Sequence, residues 1–245
     1  MSGTLLIVVP AVFAAAILRG ITGFGFALAA VPLMSLAVPP AQAVAVALLL
    51  QSFVGLRDVV ALRADTDHRT LAFLSLGAVL GTMPGIWLLD RLSPDVMRIV
   101  IAGVVMLGLA VLIGRPQGLL RPGRGSAVGA GLVAGLFSGL AAMPGPPAIA
   151  YFLGTATPAK RVRASLMVFF FFTSLMALPG LALAGQLHRD QVIAALVALP
   201  ALIVGTWAGG RVFARLSEGN YRRAAIGLLA ITAGISALRG LNGLP

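Results

Sequence analysis

Between Met1 and Val38 the chain carries one charge, Arg19, and is otherwise almost wholly apolar. A water-facing domain spends about a quarter of its residues on charge; this chain spends 10%. Further apolar spans follow at 41–62, 70–89, 96–113, 126–154, 164–184, 191–210 and 224–238. The simple ones are near the roughly 20 residues that cross a bilayer core. A mean hydropathy of +1.03 agrees that the solvent is lipid. No basic stretch precedes the first apolar run, and the run outlasts any cleavage site, so a removable leader is not expected. With no cysteine in the chain, a disulfide scaffold is excluded. The net charge of +11 comes from Lys and Arg scattered between apolar segments. That pattern suits loops that set membrane orientation, not a nucleic-acid surface.

The chain repeats itself. At one offset of 124, Gly81, Thr82, Gly85, Arg91, Leu92, Ser93, Arg98 and Gly103 match Gly205, Thr206, Gly209, Arg215, Leu216, Ser217, Arg222 and Gly227. Upstream, Gly20 pairs with Gly139 and Pro40 with Pro158 at slightly shorter offsets. Arg and Ser lie outside the apolar code of membrane helices, so their agreement in register points to duplication, a habit of transporters. The expected organisation is a first repeat at 1–114, a linker at 115–125 and a second repeat at 126–245.

Residues 1–38 as one helix would be about 57 Å long, and the hydrocarbon core is about 30 Å thick. The element must fold back. Gly20-Ile-Thr-Gly-Phe-Gly25 and Met143-Pro-Gly-Pro-Pro147 are the expected breaks, because glycine weakens a helix and proline removes donors from it. Arms of about 15 residues, with the one after Pro147 shorter still, favour re-entrant hairpins. If each hairpin returns to its starting face, Arg57, Arg63, Arg69, Arg115, Arg121, Arg124, Lys160, Arg161, Arg163, Arg211, Arg215, Arg222 and Arg223 share one side. Only Arg91, Arg98, Arg189 and Arg239 take the other. The positive-inside rule prefers this split and puts the linker in the cytoplasm and both termini outside. The fold expected is an all-α polytopic membrane protein of two inverted repeats, each a broken helical hairpin plus three transmembrane helices.

Gly135-Leu-Phe-Ser138-Gly139 resembles an intramembrane serine-protease motif, but with one residue too many. The histidines, His68 and His188, lie in loops, leaving Ser138 without a base. No His, Asp and Glu cluster has metal-ligand spacing. An enzyme is not expected, and neither is a cofactor. All seven acids lie in loops or within about a turn of a span end. Arg19 is different: it precedes the glycine break, with no acid near it along the chain. Either it snorkels to a headgroup, or an anion is its intermittent partner, since its planar fork suits oxyanions. A helix restarting within the membrane exposes unpaired N–H groups and partial positive charge, and Gly23 and Gly25 admit a ligand to the backbone. The expected anion site comprises Arg19, Thr22, Gly23, Phe24 and Gly25 at the first tip and Met143, Pro144 and Gly145 at the second. Gln51 and Thr173 are added from neighbouring spans, where interhelical hydrogen bonding is an equal explanation.

The stretch Arg19-Gly-Ile-Thr-Gly-Phe-Gly-Phe-Ala-Leu-Ala-Ala-Val-Pro32-Leu resembles the first signature of the sulfite exporter TauE/SafE family. Gly135-Leu-Phe-Ser-Gly-Leu-Ala-Ala-Met-Pro-Gly-Pro-Pro147, followed by Arg163-Ala-Ser-Leu, is similar to the second. The resemblance covers essentially the whole chain. It implies a bacterial inner-membrane carrier exporting sulfite or a small organosulfonate, with the bilayer as its other partner. The second tip lacks the adjacent glycines common in the family, so the anion is open and a carboxylate is an alternative. A non-transporting membrane subunit is a third reading. The sequence says nothing of oligomeric state. With every acid and histidine at or near an interface, export driven by the membrane potential alone is the expected energetics.

Overall fold

The computed structural model describes residues 2–23, 25–114, 123–155 and 157–213, with isolated positions beyond. Phe24, most of the linker and the expected crossing at 224–238, apart from those isolated positions, lie outside the described residues. So do the repeat partners Arg215, Leu216, Ser217 and Arg222. Among the described residues every regular element is helical: α1 (Ser2–Thr22), α2 (Phe26–Met34), α3 (Pro40–Leu62), α4 (His68–Arg91) and α5 (Pro94–Gly114). After the linker come α6 (Arg124–Ala141), α7 (Gly145–Gly154), α8 (Ala159–Leu183) and α9 (Arg189–Phe213). Seven of these helices are long and apolar enough to cross a membrane; the short α2 and α7 are not. The chain is thus an all-α polytopic membrane protein.

Local chemistry sets the ends. Pro40 opens α3, where the missing N–H costs nothing because the first turn has no acceptor for it. Asp67 caps α4, accepting from the Thr70 N–H at 3.1 Å and its hydroxyl at 2.8 Å. Both hairpins break where glycine and proline predicted, but their arms are unequal. The first arms, α1 and α6, have 21 and 18 residues, about 27–32 Å. The second arms, α2 and α7, have 9 and 10. The short arm after Pro147 agrees with expectation, but the other arms depart from about 15 residues: each hairpin is a near-full crossing followed by a half-helix. The reason is that α1 runs on through Gly20, Ile21 and Thr22, glycine alone being insufficient to end a helix that neighbours support.

Small-residue stripes choose the partners. Gly131, Gly135 and Gly139 of α6 lie against Leu74, Ala78 and Thr82 of α4, so these helices run parallel. On the other flank Phe13 and Ile17 of α1 lie against Gly205 and Gly209 of α9, again parallel. At the centre α3 and α8 are antiparallel. Gly55 meets Phe171, while the Asp67 N–H beyond the end of α3 donates to Ser165 Oγ at 3.0 Å. The flanking contacts correspond. Gly139 backs onto the Thr82 carbonyl beside Gly85, and Gly20 onto the Thr206 carbonyl beside Gly209.

Arg57, Arg63, Arg69, Arg124, Lys160, Arg161, Arg163 and Arg211 lie toward one end of the bundle; Arg91, Arg98 and Arg189 lie at the other. Large apolar side chains such as Leu6, Leu56, Leu80 and Leu183 are exposed around the girth, as lipid contact requires. The Arg91 guanidinium sits 4.1 Å from the Trp87 ring centroid and that of Arg211 3.9 Å from Trp207. These pairs mark the two ends with the aromatic–cation chemistry of membrane interfaces.

Candidate functional site

The two hairpin tips meet. Gly23 (φ 76°) and Gly25 (φ 91°) take left-handed backbone that turns the chain from α1 into α2. Gly25 stands at the N-terminal cap of α2. The N–H groups of Phe26, Ala27 and Leu28 follow it and have no acceptor within their own helix. At the second tip Ala142 is also left-handed (φ 59°), a strain of about 1 kcal/mol for a residue with a Cβ. Its N–H donates to the Ser138 carbonyl at 2.8 Å, and the Met143 N–H donates to the Phe137 carbonyl at 3.1 Å. Pro144 caps α7, and Pro146 and Pro147 occupy its first turn. The chain therefore breaks ahead of the prolines, which open the new helix. They also leave Gly145 as the first-turn N–H of α7, whereas α2 offers three.

Gly25, Phe26, Ala27 and Leu28 from the first tip and Ala142, Met143, Pro144 and Gly145 from the second line one crevice. Gln51 and Phe170, each about halfway along its helix, complete it. Gln51 Nε2 donates to the Ala142 carbonyl at 3.3 Å, tying α3 to the second tip. The crevice holds about 10 Å³, space for a single water at most.

Of the residues expected at the site, Gly25, Gln51, Met143, Pro144 and Gly145 come together here. Arg19, Thr22, Gly23 and Thr173 do not line it, and Phe24 lies outside the described residues. Thr173 is fully buried and its hydroxyl bonds the Phe170 carbonyl of its own helix at 3.2 Å. Thr22 bonds the Leu18 carbonyl at 2.8 Å. Gly23 lies beneath the stem of Arg163. Arg19, near the end of α1, is displaced toward the arginine-rich end and forms a buried ion pair with Asp58 of α3. Its partner is an acid 39 residues away that sequence distance concealed. Asp58 lies within about a turn of the end of α3, as expected of every acid, yet it is only 8% exposed because α1 brings Arg19 against it. Arg163, Phe170 and Asp58 were missed as neighbours of the site. For Arg163 a signal existed, since it opens the Arg163-Ala-Ser-Leu stretch.

Ser138 is fully buried with no hydrogen-bond partner for its hydroxyl. His68 is engaged with the Arg63 carbonyl at an exposed position, and neither histidine approaches Ser138. Among the described residues no group of three His, Cys, Asp or Glu side chains could hold a metal.

Two larger cavities flank the bundle at opposite ends. One, about 300 Å³, is lined by Leu5 and Val8 of α1, Met34 of α2, Pro39, Gln42 of α3 and Asp190 and Gln191 of α9 among others. The other, about 290 Å³, is lined by Arg69, Thr70 and Phe73 of α4, Gly123, Arg124 and Ala127 of α6, and Tyr151 of α7. Among the described residues no Lys or Arg lines the first, and no Asp or Glu lines the second.

Broken half-helices inside a polytopic bundle are an architecture shared with many secondary transporters. The chain matches the sulfite exporter TauE/SafE family over residues 8–235 and belongs to it. It is 27% identical, over 220 residues, to the probable sulfite/organosulfonate exporter TauE of Cupriavidus necator, covering 85% of this chain and 84% of that one. No solved structure matches the chain significantly.

Proposed function

We propose that the protein exports a small sulfur-containing anion, sulfite or a short organosulfonate, across the bacterial inner membrane. The observation that carries this is the meeting of the Gly25 and Gly145 tips beside Gln51, where N–H groups of α2 can receive negative charge without any acid opposing it. The family and the exporter named in C. necator support the choice of anion. A crevice of about 10 Å³ excludes a four-atom oxyanion, so the tips separate when the substrate binds.

The two halves are inverted copies in this reading. Supporting it, the long arms α1 and α6 run in opposite directions, as do α3 and α8, and the glycine contacts of one flank correspond to those of the other. The cavities at opposite ends then occupy equivalent places, one basic and one acidic, and act as entrance and exit for the anion. The positive-inside rule puts the arginine-rich end in the cytoplasm and the termini outside. The absence of native cysteine makes this directly measurable. Ser2→Cys is expected to react with an impermeant thiol reagent in intact cells and Gly123→Cys only after lysis. Labelling of Gly123→Cys alone in intact cells would reverse the orientation.

An inside-negative potential drives anions outward, by about 2.3 kcal/mol per charge per 100 mV, equivalent to a gradient of tens-fold. Proteoliposomes loaded with sulfite, taurine-like sulfonates or short carboxylates are expected to release a sulfur anion preferentially, and faster under an inside-negative potassium diffusion potential. Preference for carboxylates would reassign the substrate. Flux of none would favour a non-transporting subunit. A rate that ignores voltage and follows an imposed proton or sodium gradient would replace potential-driven export by ion coupling.

A further inference from the structure

Arg19 of α1 and Asp58 of α3 are both buried, at 6% and 8% exposure, and their side chains meet. Burying two charges is costly, and such a pair is stabilising only when its remaining hydrogen-bonding capacity is filled. Here it is not. Arg19 Nη2 donates to Asp58 Oδ2, while Nη1 is buried without an acceptor. A guanidinium presents its terminal nitrogens as a fork matched to two oxygens side by side. The pair uses half of that fork.

A second cation stands at the same place. Arg163, from the first turns of α8, donates through Nη2 to the Gly20 carbonyl at 3.3 Å, and its stem crosses Gly23. The Arg163 guanidinium thus stands beside the tip that Arg19 precedes. Arg19, Asp58 and Arg163 lie between the arginine-rich end and the tip crevice, on the side from which an exported anion arrives.

We propose that Asp58 is an exchangeable counter-ion. It neutralises Arg19 while the carrier is empty, and it yields part of the guanidinium to an oxyanion that docks on the open Nη1. A buried guanidinium with no competing carboxylate would hold an oxyanion strongly, because charge interactions gain strength away from water. Conduction requires a site that also lets go. Asp58 supplies the competitor from within the protein, so that departure of the anion is rewarded by restoring the ion pair. This inference rests on the anion-transport reading and adds a residue to it.

The test uses the full-length chain, with ethanesulfonate and sulfite as probes. Asp58→Asn keeps the shape of the side chain and removes its charge. It is expected to bind the transported anion at least about tenfold more tightly than wild type, by calorimetry in detergent. In liposomes it is expected to turn over at least about tenfold more slowly. Adding Arg19→Gln should abolish the tight binding. Affinity equal to or weaker than wild type in a folded Asp58→Asn protein would overturn the proposal, since a residue that merely holds Arg19 in place gives that result. Should the variant unfold when purified alone, the anion itself becomes the probe. Ethanesulfonate must then restore its folding and raise its melting temperature more than that of wild type, and failure to do so would equally overturn the proposal. If wild type neither binds nor moves either probe, the transport reading fails first. If wild type transports and Asp58→Asn is not tighter, only the counter-ion role is lost.

Discussion

Gly81→Val is expected to abolish stable folding. A Cβ at Gly81 would fall inside the van der Waals envelope of the Leu132 carbonyl oxygen and 2.8 Å from the Leu136 nitrogen of α6. Backbone cannot rotate away as a side chain can, so the α4 and α6 axes must separate. Separation breaks the whole interlocked row, because Gly77, Gly85, Gly131, Gly135 and Gly139 each rest on backbone of the opposite helix. The cost is roughly 3 kcal/mol or more, at the upper end for overpacking. Gly129→Ala on α6 is the control, since a Cβ there meets nothing within 4 Å. Its effect should stay within about 0.5 kcal/mol. Thermal unfolding in detergent, read by the loss of monodisperse protein, compares the two. Equal melting temperatures would mean that the α4–α6 seam does not hold the bundle together.

Gly25→Val is expected to eliminate transport while leaving most of the protein folded. The obstacle is conformational: at φ 91° a β-branched residue is strained even though its Cβ would have ordinary room beside Leu18 and Thr22. Relief of that strain moves the cap of α2 and with it the N–H groups of Phe26, Ala27 and Leu28. A fall of about a hundredfold is the scale associated with displacing a positioned group by 1 Å. Gly145→Ala provides the contrast. It has no positive φ, and its Cβ would make a normal 3.5 Å contact with Phe170, so transport should persist within a fewfold. Flux is to be divided by the amount of folded protein recovered. Unchanged flux per folded molecule in Gly25→Val would remove the first tip from the site.

Both experiments bear on features that differ in how legible they were. The breaks at Gly23–Gly25 and ahead of Pro146 could be read directly, because φ preference and a missing donor are properties of the residue itself. Apolar runs near 20 residues told of membrane crossings for a similar reason: each residue pays for its own transfer into lipid. The unequal hairpin arms could not be read. Whether a helix continues through Gly20-Ile21-Thr22 depends on what packs there, and α9 supplies Gly209 and the Thr206 carbonyl.

The sequence by itself determined the solvent, the place of the five simple crossings among the described residues, the two breaks and the glycine stripes, all of which follow from single residues and local spacing. Tertiary structure alone decided that the α6 stripe seats on α4 and the Gly20 end of α1 on α9, since many glycine faces fit one another in the abstract. It also decided that Gln51 and Phe170 close the tip crevice and that Asp58 reaches Arg19. Charges interact across space within a few ångströms, and a separation of 39 residues along the chain carries no trace of that distance.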